Sequence, residues 1–161
     1  MAKTVAGGAM TRYNWTRLNH IQIGRYAEYL VKMAFTLYGF DVYTSEVDDR
    51  GIDFIIRKNE STYYDVQVKS CRGLNYIFFP KENFRLRENL LAAVVIFTNG
   101  AEPDTYLVPS SVWLQPNKLF VSRDYEGLKS KPEWGLNLSV KNLSLLKAYK
   151  FEEIITKLLI K

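Results

Sequence analysis

Gly51-Ile52-Asp53-Phe54-Ile55-Ile56 and, further on, Asp65-Val66-Gln67-Val68-Lys69 decide how this chain reads. Asp53 is a carboxylate inside an apolar strand, and Lys69 is an ammonium at the end of another. Burying either ion alone is costly, so the economical solution is a shared site. Side chains alternate across a strand, so Gln67 and Lys69 project one way while Tyr64, Val66 and Val68 project the other. Asp65 shares the face of Gln67, but at the strand start it is expected at the surface. Register decides the rest. Asp53 falls opposite Gln67 if the hairpin loop is the three residues Asn59, Glu60 and Ser61, whereas a two-residue loop would put Val66 there.

Working outward, the preceding stretch predicts a helix over 19–38. Ile23, Ala27, Leu30, Val31, Ala34 and Leu37 recur at helical spacing, with Asn19 as N-cap and Gly39 as the stop. Gly24 is unfavourable in mid-helix unless something must approach it closely. Strands are expected at 40–46, 52–57 and 62–71, with a turn at Asp48–Gly51. Residues 76–80 are extended and aromatic, and 81–89 are a short helix or an irregular crossover. Strands follow at 90–98 and 104–109, then a turn or short helix at 110–113. Residues 115–139 read as loop, with Pro116, Gly127, Pro132 and Gly135. Helical patterns close the chain at 140–148 and 151–160. One helix, three strands, a crossover, two strands and C-terminal helices make an α/β (α+β) fold, a mixed central sheet flanked by helices.

Composition narrows the classes. The chain has 161 residues, which suits one domain, read here as 19–161 behind a flexible arm over 1–18. Apolar residues at 47% suffice for a core. A single Cys excludes a disulfide scaffold and a Cys-based zinc site, and a single His argues against a His-rich metal centre or a serine-protease triad. No apolar run reaches the length of a membrane span, and the first ten residues lack the apolar core of a secretory signal. The expected location is therefore cytoplasmic, with no membrane partner and no organic cofactor. Formal net charge is +5, and residues 117–161 carry nine Lys/Arg against five Asp/Glu. That surplus suits a polyanion or simply solubility.

If Asp53, Gln67 and Lys69 converge, their chemistry is specific. The Asp53 carboxylate and Gln67 amide oxygen are hard ligands for Mg²⁺ or Mn²⁺, with the Val68 carbonyl as a third. Lys69 can orient an attacking water or stabilise developing charge, and Glu28 of the helix can complete the outer shell. This is the layout of metal-assisted phosphodiester hydrolysis.

The helix with Glu28, then Gly-Ile-Asp53, then Gln67-Val-Lys69 resembles the PD-(D/E)XK nuclease superfamily, which includes restriction endonucleases and archaeal Holliday junction resolvases. The resemblance covers roughly residues 20–72. The whole chain also resembles a bacterial group with a Gly-Ile-Asp…Gln-Val-Lys pattern and a segment like Tyr76–Pro80. It implies a restriction-endonuclease-like core, a Mg²⁺- or Mn²⁺-dependent endonuclease activity on DNA, and a homodimer. By resemblance Asp53 is the metal-ligand Asp, Gln67 takes the second acidic position, Lys69 is the catalytic Lys and Glu28 the helix-one Glu. Ile52 stands where the motif has Pro. Gln67 stands where Asp or Glu is usual, which removes a negative charge and lowers metal affinity.

Each residue also has a plainer reading. Asp53 can pair with Lys69 without metal, Gln67 can hydrogen-bond within the sheet, and Glu28 can be a solvated helix-flank carboxylate. Arg50, Ser70 and Arg72 can line a nucleic-acid side or serve only the surface and the sheet. Asp48 and Asp49 read as turn residues, Cys71 as a small buried residue, and Trp113 and Trp134 as loop anchors. Tyr76-Ile77-Phe78-Phe79 with Lys81, Arg85 and Arg87 can stack single strands or form a core strand with solvated bases. Three functions stay open: the endonuclease, a nucleic-acid-binding module with a decayed nuclease core, and a protein-interaction domain.

Overall fold

Helix α1 (His20–Leu37) starts where Asn19 and Gln22 cap each other reciprocally, each backbone N–H donating to the other's side chain at 2.9 Å. It ends before Gly39, whose φ of +84° suits glycine. Its buried stripe is Ile23, Ala27, Val31 and Phe35. Gly24 meets nothing on its Cβ side, so no close approach explains it. The protein is described by a computed structural model covering residues 12–47 and 50–161.

After α1 the chain forms β1 (Asp41–Tyr43), β2 (Phe54–Arg57) and β3 (Tyr63–Arg72), an antiparallel meander. The β2–β3 turn closes with the Lys58 N–H donating to the Thr62 carbonyl at 2.9 Å, so the loop is Asn59–Ser61. Phe54 then faces Val66, as a three-residue loop dictates, but the ladder stops there and the expected pairing of Asp53 with Gln67 is not formed. Strand β4 (Tyr76–Pro80) leaves for a second sheet. Strand β5 (Leu90–Phe97) returns parallel to β3, and β6 (Asp104–Pro109) runs antiparallel beside it. The central sheet is therefore mixed, in the order β1-β2-β3-β5-β6. A 3₁₀ turn at Ser110–Leu114 follows.

The segment read from sequence as loop, 115–139, contains two strands. Strands β7 (Phe120–Arg123) and β8 (Glu133–Asn137) join β4 in a three-stranded antiparallel sheet, β4-β8-β7. Short α2 (Leu143–Leu146) and α3 (Phe151–Ile160) finish the chain. The last two helical patterns were expected, although the first is much shorter than 140–148. Residues 81–89 are turns, with no regular helix.

Two cores result. On one face of the central sheet, Val66, Leu91, Ala93, Val95 and Phe97 pack with α1 and α3. On the other, Leu90, Ala92, Val94 and Ile96 meet Ile77, Phe79, Trp113, Phe120 and Leu136, mostly from the second sheet. β5 is buried on both faces, as expected of a central parallel strand. Trp113 is thus a core residue rather than a loop anchor. Its indole N–H donates to the Gly135 carbonyl at 2.8 Å.

The flexible arm expected over 1–18 is corrected for its described part. Trp15 is buried against Tyr26 and Phe97, and its indole N–H donates to the Ala101 carbonyl at 3.0 Å. Tyr13 donates to Glu102 at 2.5 Å. An aromatic pair fitting into the core outweighs the polar composition that suggested an arm. Residues 1–11, Asp48 and Asp49 lie outside the described residues.

Candidate active site

Asp53 sits just before β2 begins, where the ladder with β3 is irregular. Its N–H donates to the Val66 carbonyl at 2.9 Å, although Val66 faces Phe54 in register. Two residues thus share one partner, the pattern of a β-bulge, which re-aims a side chain at a strand end. The Asp53 carboxylate accepts the Val68 N–H at 2.5 Å, replacing the carbonyl that a longer β2 would have offered. Asp53 is therefore tied to the Gln67-Val68-Lys69 stretch through the backbone between the two side chains.

Gln67 is buried, and its amide oxygen has no hydrogen-bond partner among the described residues. An unpaired buried amide oxygen costs on the order of 1–3 kcal/mol. Its Nε2 lies 3.7 Å from where a Cβ on Gly51 would stand, and that Cβ would be 3.2 Å from Asn83. Gly51 also has a φ of +71°, so backbone conformation and space both call for glycine there. The loop before β2 and the loop after β4 thus close over Gln67. Lys69, two residues on and on the same face, places its ammonium 5.7 Å from the Phe79 ring centroid.

Glu28 is half-buried on α1. Its carboxylate pairs with Arg25 at 2.7 Å on α1, which packs on the Val66 face of the sheet. Arg72 is taken up in folding, donating to the Trp15 carbonyl at 3.1 Å and to that of Leu18. Ser70 alternates to the Val68 side of β3. Cys71 is half-buried, and burial pushes its thiol up to about 11, which suits a packing residue rather than a nucleophile.

Arg50 lines an open cleft of about 480 Å³ with Ile52, Asp65, Glu82, Asn83, Arg85 and Arg87. Asp65, expected at the surface, is largely covered and paired with Arg87. The Arg87 backbone is pinned by buried Ser110, whose hydroxyl accepts its N–H at 3.0 Å and donates to its carbonyl at 2.7 Å. Arg85 is exposed beside it. This basic cleft opens on the Gln67 side of β3. Sequence reasoning noted Arg85 and Arg87 only as bases beside an aromatic strand; the crossover that delivers them carries no periodic signal.

Among the described residues no group of three or more His, Cys, Asp or Glu side chains could hold a metal. A divalent ion bound by protein would draw on a small oxygen set, Asp53 and Gln67, with the rest of its shell from water or phosphate, as Mg²⁺ accepts. The unpaired Gln67 oxygen fits such an ion. No helix is long and apolar enough to cross a membrane.

The architecture is similar to that of Archaeoglobus fulgidus Hjc, a Holliday junction resolvase from an archaeal hyperthermophile. The match covers 83% of this chain and 95% of that chain, with a TM-score of 0.50 and 12% identity. At that identity the likeness concerns the fold. No family model and no curated protein matches the sequence.

Proposed function

We propose that the protein is a divalent-metal-dependent nuclease that hydrolyses DNA phosphodiester bonds, with Asp53, Gln67 and Lys69 as its site. The observation that carries this reading is the unpaired, buried Gln67 oxygen beside the strand stretch to which Asp53 is bound. The resolvase-like fold supports it at the level of architecture.

In this reading Asp53 and Gln67 hold Mg²⁺ or Mn²⁺, with the Val68 carbonyl on the strand between Gln67 and Lys69. The bound ion would polarise a phosphoryl oxygen and lower the pKa of a water. The Val68 N–H holds the Asp53 carboxylate in one orientation. Lys69 supplies positive charge where the phosphorane gathers negative charge. Arg50, Arg85 and Arg87 neutralise flanking phosphates in the cleft, so binding weakens with salt. Glu28, paired with Arg25 on the helical layer, is left out of this set.

The test is cleavage of plasmid, linear duplex, single strand and four-way junction with Mg²⁺, Mn²⁺ or EDTA. Asp53→Ala and Lys69→Ala should each lose about 100-fold or more of the metal-dependent rate. Equal cutting by wild type and both variants would mean a contaminant. Gln67 supports a second reading, a binding core without cleavage, because it leaves one charge fewer on the ion. That reading predicts salt-sensitive DNA binding in EDTA and no cutting with either metal.

A further inference from the structure

The second sheet has an outer face of its own. On β4, Ile77 and Phe79 turn into the core, while Tyr76 and Phe78 turn away from it. Their cross-strand neighbours on that outer face are Asn137 and Gly135 on β8, and Val121 and Arg123 follow on β7. The Tyr76 ring lies across Gly135, where any Cβ would overlap it, so this glycine makes room for the ring. The Arg123 guanidinium sits 4.3 Å from the Tyr76 centroid, and the Phe78 ring lies nearly parallel to that of Tyr76.

These residues line a cavity of about 500 Å³ with Tyr125, Ser130, Lys131, Pro132 and Glu133. Two details distinguish it from a surface hollow. Glu133 is only 7% exposed, a nine-tenths buried carboxylate at the wall of a cavity. Tyr125 donates its hydroxyl to Glu133 while its backbone holds a φ of +50°, the one non-glycine in the left-handed region among the described residues. A residue kept in that region marks a constrained site. The Tyr76 hydroxyl is also buried, within the influence of the Glu133 carboxylate. Phe78, by contrast, is half-exposed, an aromatic face left open to the cavity mouth.

We propose that the cavity of Tyr76, Phe78, Arg123, Tyr125, Lys131 and Glu133 binds an unstacked nucleobase carrying an exocyclic amino group, with Phe78 as stacking surface and Glu133 as acceptor. An aromatic face with a fixed carboxylate is what such a base needs: a π surface, and an acceptor for its N–H groups. Arg123 and Lys131 supply charge for the attached phosphate. The cavity also adjoins the basic cleft. Lys131, on its wall, pairs at 2.8 Å with Glu82, which lines the cleft. A strand lying along Arg50, Arg85 and Arg87 therefore meets this cavity across the turn after β4. The inference deepens the nuclease reading by naming an unpaired base as part of its substrate, but binding can be tested without cleavage.

The experiment is fluorescence anisotropy of labelled dC, dA and dT 12-mers with the full chain at pH 8 in EDTA. Wild type should bind oligo(dC) and oligo(dA) more tightly than oligo(dT). Phe78→Ala, at a half-exposed position, should weaken all three by about tenfold. Glu133→Gln, which keeps an acceptor for Tyr125, should flatten the preference against dT. Unchanged melting temperature establishes that each variant is folded; Phe78→Tyr, which keeps the ring, should restore binding and stands in if Phe78→Ala melts early. Equal affinity of wild type and Phe78→Ala, or no base preference in wild type, overturns the proposal. Failure of the nuclease reading would instead appear as an absence of metal-dependent cutting while this base preference persists.

Discussion

On the helical face of the central sheet, β3 and β5 present Val66, Leu91, Ala93, Val95 and Phe97 to α1 and α3, in one cluster with Ile23, Val31, Phe35 and Phe151. On the opposite face β5 keeps the same habit, with Leu90, Ala92, Val94 and Ile96, but β3 presents Asp65, Gln67 and Lys69. The same strand thus obeys two rules on its two sides. The second sheet covers β5 there, while the Gly51 and Asn83 loops close over Gln67. Stability is concentrated where burial is uniformly apolar. The proposed site lies where one strand leaves that pattern and a bulge at Asp53 ends its neighbour.

The largest expected effect breaks the helical side. Phe35 is fully buried and makes edge contacts with Phe40, Phe54 and Phe151 at 5.8, 6.1 and 4.9 Å. Phe35→Ala leaves a cavity and should cost about 3–5 kcal/mol, read as a fall in the urea midpoint. A loss below about 1 kcal/mol would place the source of stability elsewhere.

Gln67→Leu sharpens the comparison from the other side. It removes the unpaired oxygen at similar volume, so stability should hold or rise by about 1 kcal/mol. Wild type should gain melting temperature on adding Mn²⁺, and that gain should shrink in the variant. Destabilisation by more than about 1 kcal/mol would mean that Gln67 serves the sheet, and the two faces would then differ less than they look.

How much of this was legible follows from the length of the pattern. α1 carries five helical turns of periodicity and a cap, and its limits fall within a residue of the expectation. The β2–β3 hairpin was legible as two apolar strands and a turn, but its register was not, because two- and three-residue loops fit the same pattern and only the Lys58–Thr62 closure decides between them. β7 and β8 were not. Each is four or five residues long and lies among prolines and glycines, so the alternation of Phe120 with Val121 and of Trp134 with Glu133 and Gly135 is too short to stand out. The candidate site divides the same way. Gln67 and Lys69 share a face by strand geometry alone, and Arg25 reaches Glu28 by helical i,i+3 spacing, whereas the bulge at Asp53 and the use of Arg72 on Trp15 depend on tertiary packing. Arg85 and Arg87 could not be assigned to a cleft, because only the buried Ser110 hydroxyl fixes where that crossover runs.

The smallest effect concerns the outer face of the second sheet and appears at high pH. Burial first, then the Glu133 carboxylate, pushes the Tyr76 hydroxyl from 10.0 up to about 12, with Arg123 opposing. In the unfolded chain the phenol ionises near 10.0, so between that pH and about 12 the folded state holds a proton that the unfolded state has lost. Stability then falls as pH rises through this window, since the unfolded state binds fewer protons. Cys71 adds a decline in the same direction, beginning nearer its ordinary value of 9.0 and extending to about 11. Tyr76→Phe deletes both the ionisation and the buried hydroxyl. It should raise stability slightly at pH 7 and flatten the part of the alkaline decline above pH 10, leaving the Cys71 part in place. Denaturant midpoints at pH 8, 9.5 and 10.5 separate the two. If the variant and wild type decline in parallel up to pH 10.5, the Tyr76 hydroxyl reaches solvent, and the outer face of the second sheet is then more open than the central sheet it covers.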